Sequence, residues 1–184
     1  MPKAPDPQLS ERIAKAALRL LDEGGPKVVT MRSVAAQAGI AITTIYERFA
    51  DRDALLQAVV ALAQSDLIKT VQSARSVDAF VKTYIQFFCQ YPHRYAMSME
   101  AFYSRLKTGE PMPVMGMFKQ VLARQTGLSG SKLNDRTLAI AALTFGSVES
   151  MIAVGPDGKR ANDLRRACLS AIRRLTKPAK PKGG

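Results

Sequence analysis

Apolar residues recur three and four positions apart along much of this chain, the spacing that lines one face of an α-helix. In residues 30–49 two short stretches of this kind stand on either side of Gly39. Thr30 precedes the first stretch, where a side-chain oxygen can cap a helix, and Gly39 follows it, where helices commonly end in a left-handed conformation. Ile45 and Phe49, four residues apart, share the buried face of the second stretch. The pattern predicts two short helices joined by a tight turn, the layout of a DNA-binding helix-turn-helix and also of an ordinary helical hairpin.

Helical periodicity also flanks this motif. A first helix is predicted over residues 10–23, because the Gly-Gly-Pro sequence at 24–26 stops the pattern. Asp51 is suited to cap another helix that follows the motif and continues toward residue 70.

The apolar pattern broadens toward the carboxyl terminus. Residues 77–91 leave almost no polar face, as in a helix buried on most sides, and Pro92 ends this helix. Two further helices are predicted over residues 133–154 and 161–175, separated by a Gly-Pro-Asp-Gly turn.

The predicted fold class is therefore all-α. A three-helix helix-turn-helix domain is predicted over residues 7–66, and a helical bundle for effector binding and dimerisation over residues 67–176. Residues 1–6 and 177–184 are rich in proline and polar residues, so we expect them to be disordered.

The net charge of +12 adds little to the DNA-binding interpretation, because of where it lies. Residues 1–65 carry eight Lys and Arg against seven Asp and Glu, whereas residues 66–184 carry nineteen against eight. The excess gives a nonspecific, salt-sensitive attraction to phosphates, or simply keeps the protein soluble.

Few other kinds of chemistry are indicated. Cys89 and Cys168 are too far apart for a Cys-x-x-Cys zinc or redox site, and a single histidine, His93, offers neither a metal cluster nor much of a catalytic relay. We therefore expect no metal, no cofactor and no enzymatic activity. Without a run of eighteen apolar residues or a charged-then-apolar leader, the chain is expected to be cytoplasmic, with no membrane partner.

Residue identities in and around the motif resemble those of one family. The chain resembles the tetracycline-repressor (TetR) family of transcriptional regulators in AGIAITTIYERFADRDALL, residues 38–56, where a glycine turn leads into a recognition helix ending in Tyr-x-x-Phe, here Tyr46 to Phe49. It also resembles the family's first helix in RIAKAALRLLDEGG, residues 12–25, and a second-domain segment in YIQFFCQYPHRYAMSMEAF, residues 84–102.

The resemblance implies roles for individual side chains. The DNA-contacting residues that it implies are Thr43, Thr44 and Tyr46 at the groove and Arg32, Arg48 and Arg52 at the phosphates. For each arginine the alternative is a solvated surface charge.

The recognition helix departs from the family pattern at three positions. Ala41 and Ile42 replace the usual hydroxyl cap and the polar residue after it, and Glu47 puts a carboxylate where the family often has His or an aromatic residue. An alternative is that Thr44 and Glu47 form a capping box and the helix starts later. The family's operator sequences therefore cannot be carried over.

Methionine and phenylalanine are concentrated in the second half of the chain. Such residues at helical spacing are usually core, but their adaptable side chains also suit a pocket for an apolar or aromatic ligand. The candidate ligand-binding residues are Tyr84, Phe88, Met97, Met115, Phe118, Phe145 and Met151.

The last two predicted helices carry small residues and an apolar stripe. The resemblance implies that these helices form a four-helix contact between two subunits. The candidate interface residues are Ala142, Gly146, Glu149, Leu164, Cys168 and Ile172. Glu149 would pair with an arginine at that contact or meet a cationic ligand.

These features together predict a DNA-binding transcriptional repressor. It is expected to bind a palindromic double-stranded DNA operator as a homodimer and to be released by a small hydrophobic effector. The alternatives are a ligand-independent nucleoid-type DNA-binding protein that uses the basic tail, and a helical small-molecule enzyme.

Overall fold

The computed structural model describes residues 7–177, so the disorder expected for residues 1–6 and 178–184 lies outside the described part of the chain. Over the described residues the chain forms nine α-helices and no strand, which confirms the all-α prediction. The helices are α1 Pro7–Gly24, α2 Met31–Ala38, α3 Ile42–Tyr46, α4 Arg52–Val71, α5 Val77–Gln90, α6 Pro92–Thr108, α7 Pro113–Thr126, α8 Gly130–Val154 and α9 Lys159–Leu175. A 3₁₀ turn, Pro26–Val28, lies between α1 and α2.

The chain divides into two compact units. Of the described residues, 7–66 and 91–108 form the first unit, and 67–90 and 109–177 form the second. The first boundary falls within α4, and α6 groups with the amino-terminal helices. The domain division predicted over residues 7–66 and 67–176 stays a prediction.

The first unit is built around one apolar core. Fully buried side chains from α1, α2, α3 and α4 meet in it, and Met97 of α6 packs against it. The largest of them are Ile13, Leu21, Val34, Ile45 and Leu55. Since each helix of this unit contributes to a single core, their relative orientations are fixed by packing.

Both ends of α2 have the local structure expected from the sequence. The Thr30 hydroxyl accepts a hydrogen bond from the backbone N–H of Ser33 at 3.1 Å, and the Ser33 hydroxyl accepts one from the N–H of Thr30 at 2.9 Å. Gly39 then adopts the left-handed conformation, with φ 65° and ψ 38°, which glycine enters without a steric cost. The predicted cap and the predicted end of this helix are both confirmed.

The second unit is a helical bundle of α5, α7, α8, α9 and the end of α4. Its core is formed largely by aromatic and aliphatic side chains of α5 and α8, and α8 packs most extensively against α9. Three helices begin earlier than predicted from apolar periodicity: α1 at Pro7, α8 at Gly130 and α9 at Lys159. Their first turns are polar, so hydrophobic spacing does not reveal them.

Two of the described helices, α4 and α8, are long and apolar enough to cross a membrane by length and composition alone. Core helices of soluble proteins pass the same test, and each of these helices buries one face within the protein. The cytoplasmic location stays an expectation.

Candidate nucleic-acid interface

The helix that would enter the DNA groove is α3, which we call the reading helix. It has five residues, preceded by Ala41 in an extended conformation with φ −67° and ψ 144°. Ile45 is fully buried and Phe49, just beyond the helix, is 8% exposed. These two side chains, four residues apart, fasten the inner face of the reading helix to the core and leave its outer face to solvent.

The outer face combines hydroxyl, aromatic and apolar groups. Thr43 and Tyr46 are exposed, Tyr46 to 55% of its surface, and Thr44 is half-buried beside them. A hydroxyl can bond to a base edge or a phosphate, and a tyrosine offers both a ring and a hydroxyl on a side chain with few rotatable bonds. The three predicted groove-contacting residues thus lie together on or next to one exposed surface.

The reading helix begins at Ile42, so the alternative start at Thr44 is wrong. No side chain caps the helix at Ala41, and Glu47 lies at its carboxyl-terminal end, where its backbone N–H bonds to the carbonyl of Thr43. The Thr44–Glu47 capping box therefore does not form. The extended conformation at Ala41 fixes the start of the helix without a hydroxyl.

Ile42 is a surface residue whose possible contact with DNA the sequence did not reveal. Its side chain is 38% exposed in the first turn of the reading helix, next to Thr43. An exposed aliphatic group at this position can contact the methyl group of thymine, which distinguishes A·T base pairs in the major groove. In the sequence this residue was visible only as a departure from the family pattern.

The three arginines implied to contact phosphates have different surroundings. Arg32 is exposed on α2, and Arg48 is half-buried directly after the reading helix. Arg52 donates from Nε to the carbonyl of Val29 at 2.7 Å and from Nη2 to the carbonyl of Pro26 at 2.5 Å. Arg52 therefore joins the first turn of α4 to the segment before α2, which differs from the implied phosphate contact.

The candidate ligand-binding residues fall into two groups. Met97 lies in the first unit and packs against its core, whereas the other six lie in the second unit. There the Tyr84 ring lies 4.8 Å from Phe88 and 6.0 Å from Phe145 between centroids, and Phe118 lies 5.3 Å from Phe80. These rings therefore pack in two contacting sets, one of Phe80 and Phe118 and one of Tyr84, Phe88 and Phe145.

Burial differs widely within this cluster. Phe88, Phe118 and Met151 are at most 4% exposed, and Tyr84 is 7% exposed. Met115 and Phe145 are half-buried. Phe145 is therefore the aromatic member that is best placed to meet a ligand without loss of the core.

The candidate interface residues also separate by exposure. Ala142, Gly146 and Glu149 are exposed along one face of α8. Leu164 of α9 is half-buried, whereas Cys168 and Ile172 are 2% and 1% exposed. Burial raises the pKa of the Cys168 thiol, against a weaker opposing hydrogen bond with Ser147 on α8. Cys168 and Ile172 are thus buried within the chain itself, whereas Ala142, Gly146 and Glu149 of α8 lie at its surface.

Residues 13–59 match the model of one protein family, described as bacterial regulatory proteins, tetR family. This segment therefore has the sequence pattern of the TetR family. The match spans α1 to the middle of α4 and so includes the reading helix and the core that holds it. No curated protein matches the sequence.

Solved structures with the TetR fold match over nearly the whole chain. A tetR-family transcriptional regulator from Streptomyces coelicolor has a TM-score of 0.70 at 15% identity, covering 95% of this chain and 93% of that one. A TetR variant from Acinetobacter baumannii AYE in complex with minocycline has a TM-score of 0.63 at 16% identity, covering 89% and 92%. The multidrug binding protein EbrR complexed with imidazole has a TM-score of 0.65 at 19% identity, covering 100% and 96%.

At these identities the structural likeness shows the fold. The TetR arrangement, with an amino-terminal helix-turn-helix and a carboxyl-terminal helical domain, therefore extends over the described chain beyond the segment that the family model matches.

The position of Arg52 gives a testable prediction about stability. Arg52→Met removes two charge-assisted hydrogen bonds to backbone carbonyls and is expected to lower the free energy of unfolding by about 2 kcal/mol. Arg32→Met is the matched control, because Arg32 is exposed and its loss should change stability by less than about 0.5 kcal/mol. Urea denaturation followed by circular dichroism measures both values. Equal midpoints for the two variants would show that Arg52 does not hold the turn.

Proposed function

We propose that this TetR-family protein is a transcriptional repressor that binds a palindromic DNA operator as a homodimer and is released by a small apolar or aromatic ligand. The observation that carries the proposal is the reading helix, whose inner face is fixed in the core while Thr43 and Tyr46 face solvent. A rigid helix with exposed hydrogen-bonding side chains is what major-groove recognition requires.

The homodimer is supported by an exposed surface on α8. Leu138, at 57% exposure, heads a stripe that continues through Ala142 and Gly146 to Glu149. A Cβ added at Gly146 would meet no atom within 4 Å, so a partner helix can approach this position closely. A helix-turn-helix that reads a palindrome also needs two copies, one for each half-site.

The effector is supported by chemistry and by the structural relatives. Two structures that share this fold contain minocycline and imidazole. In this chain, the half-buried ring of Phe145 lies next to Tyr84 in a bundle rich in aromatic residues. Apolar helical bundles of this kind commonly open a pocket for small molecules, and the ligand class proposed here is apolar or aromatic.

A nucleoid-type protein remains the second candidate because of one observation. Helix α9 carries Lys159, Arg160, Arg165, Arg166, Arg173 and Arg174, and its one acidic residue is Asp163. Binding through such a surface would depend steeply on salt and ignore sequence, whereas binding through the reading helix distinguishes sequences at fixed salt.

Two tyrosines with equal exposure allow a test of whether the reading helix contacts DNA through Tyr46. Tyr46→Ala is expected to weaken binding to a duplex selected by the wild-type protein by about 1–3 kcal/mol, because it removes a groove contact. Tyr103→Ala is the control, since Tyr103 of α6 is exposed to the same 55% as Tyr46. Fluorescence anisotropy with the labelled duplex gives both affinities. If Tyr46→Ala binds as tightly as Tyr103→Ala, α3 does not read DNA through Tyr46.

The dimer is tested by a pair of helical glycines. Gly146 in α8 and Gly116 in α7 are both exposed, and an added Cβ meets no atom within 4 Å at either position. Leucine at either site should therefore leave the subunit fold intact, with a small gain in helix propensity. Gly146→Leu should shift the protein toward monomer in sedimentation equilibrium, and Gly116→Leu should not. A monomeric wild-type protein at micromolar concentration, or an unchanged Gly146→Leu dimer, would contradict this interface.

Induction is tested by linkage. A compound that stabilises the protein in a thermal-shift screen of apolar and aromatic molecules should lower its DNA affinity roughly ten- to a hundredfold, and the DNA should lower the affinity for that compound by the same factor. Phe145→Ala should weaken the compound's binding and retain DNA binding, whereas Phe102→Ala, in the first unit, should alter neither. Isothermal titration with and without the duplex measures the coupling. A stabilising compound that leaves DNA affinity unchanged would argue against induction by that ligand.

A further inference from the structure

A buried arginine, Arg94, lies in the first turn of α6, within the first unit. Arg94 is 7% exposed, and its Nε and Nη2 donate to the two carboxylate oxygens of Asp22 at 2.7 and 2.6 Å. Its Nη1 donates to Oδ2 of Asp66 at 3.1 Å, and the guanidinium lies 4.0 Å from the centre of the Tyr91 ring. Burial by itself lowers the pKa of Arg94, but the two carboxylates more than offset this and keep the pKa above its ordinary value.

This arginine joins three helices of one unit. Asp22 lies at the end of α1, Asp66 lies on α4, and Arg94 lies in the first turn of α6. A planar guanidinium binds one carboxylate with two parallel hydrogen bonds, which fixes direction as well as distance. Because the group is removed from water, the loss of one partner leaves a buried charge only partly compensated, unlike the loss of an exposed surface pair.

A second contact, between His93 and Gly25, packs the same turn of α6 against the end of α1. The ring of His93 lies against Gly25, and a Cβ built on Gly25 would stand 3.0 Å from Nδ1 of that ring. Gly25 also has a φ of 75°, a left-handed conformation that other residues rarely adopt. One helical turn further along α6, Met97 packs against the core of the unit. The start of α6 is therefore fitted closely to the end of α1.

The partners of Arg94 lie where the chain leaves and re-enters the first unit. Asp66 is the last residue before the chain passes into the second unit, and Tyr91 is the first residue after it returns. Arg94 thus forms a hydrogen bond with the residue at which the chain leaves the first unit and stacks on the residue at which it returns.

Asp22, one of the partners of Arg94, is close in sequence to the segment that precedes the helix-turn-helix. Asp22 stands four residues before Pro26, whose carbonyl, with that of Val29, accepts hydrogen bonds from Arg52 at the start of α4. Helix α4 is therefore linked near its beginning, through Arg52, to the segment between α1 and α2, and at Asp66, through Arg94, to the end of α1.

We propose that Arg94 is a positioning residue for DNA binding, which holds α4 against α1 and so sets the orientation of the reading helix. The inference rests on the proposed function and adds a residue outside the helix-turn-helix to it. Of the two carboxylate contacts, the one with Asp66 is the weaker, so we expect a change in the orientation of α4 to begin there. The bond from Arg94 to Asp66 is 3.1 Å long and the Asp66 side chain is 42% exposed, whereas the two bonds to Asp22 are 2.7 and 2.6 Å long and its side chain is 22% exposed.

The test compares specific and nonspecific DNA affinity in variants of Asp66, Arg94 and Arg105. A duplex is first selected from a random library by the wild-type protein, and a scrambled duplex of equal length serves for nonspecific binding. Asp66→Asn removes a negative charge, which alone would strengthen binding to both duplexes. We expect instead that the ratio of selected to scrambled affinity falls about fivefold or more, the scale of coupling between distinct sites. Arg94→Lys keeps the charge and loses the bidentate geometry, so its ratio should fall in the same way.

Arg105→Met is the matched control. Arg105 lies on α6 and donates to Gln64 on α4 at 3.0 Å, so it links the same two helices through a neutral partner. Its loss should lower both affinities slightly through charge and leave their ratio unchanged. An unchanged ratio in Asp66→Asn and Arg94→Lys would overturn the positioning role, and so would an equal fall in Arg105→Met.

Hydrogen exchange without DNA separates this inference from the proposed function. In Arg94→Lys, backbone amides near the end of α1 and around Asp66 should exchange about fivefold faster or more, while those of α8 and α9 stay unchanged. Unchanged exchange near Asp66 would show that Arg94 does not hold α4 against α1. Failure of the wild-type protein to select any duplex would overturn the proposed function, and with it the role of Arg94 in DNA binding, even if exchange near Asp66 responds to the variant.

Discussion

The rest of this structure depends on the burial of Ile45 and Phe49. The reading helix has five residues, far below the roughly 12–15 that an isolated helix needs to be stable in water. It persists because these two apolar side chains are packed into a core built by α1, α2 and α4. The exposed residues on either side of Ile45, Thr43 and Tyr46, are held in a fixed position by that packing, and recognition of a DNA groove depends on such a position.

Two arginines extend this constraint beyond the helix-turn-helix. Arg52 bonds to backbone carbonyls on the segment before α2, and Arg94 bonds to carboxylates on α1 and α4. Arg94 attaches α6 to the unit that holds the reading helix, although residues 67–90, which belong to the second unit, come between α4 and α6 in the sequence. The first unit therefore contains α6 as well as α1, α2, α3 and most of α4.

Features that depend on near neighbours in sequence could be predicted, and features that depend on distant partners could not. The cap at Thr30, the left-handed Gly39 and the buried pair Ile45 and Phe49 follow from spacing within one or two helical turns. The partners of Arg52 lie 23 and 26 residues away, so no local pattern reveals them.

The apolar face of α9 is another feature whose packing partner could not be predicted from the sequence. Apolar spacing correctly indicates that Cys168 and Ile172 are covered, but it cannot tell whether a second subunit or α8 of the same chain covers them. In the structure they are buried within the chain itself, and α8 supplies part of what covers them.

The central claim, a dimer that reads two half-sites through α3, is tested most directly by sequencing the duplexes that the wild-type protein selects from a random library. The account predicts inverted repeats with half-site centres about one helical turn of DNA apart, or a multiple of it. Retention of duplexes without sequence enrichment, weakening only with salt, would contradict it.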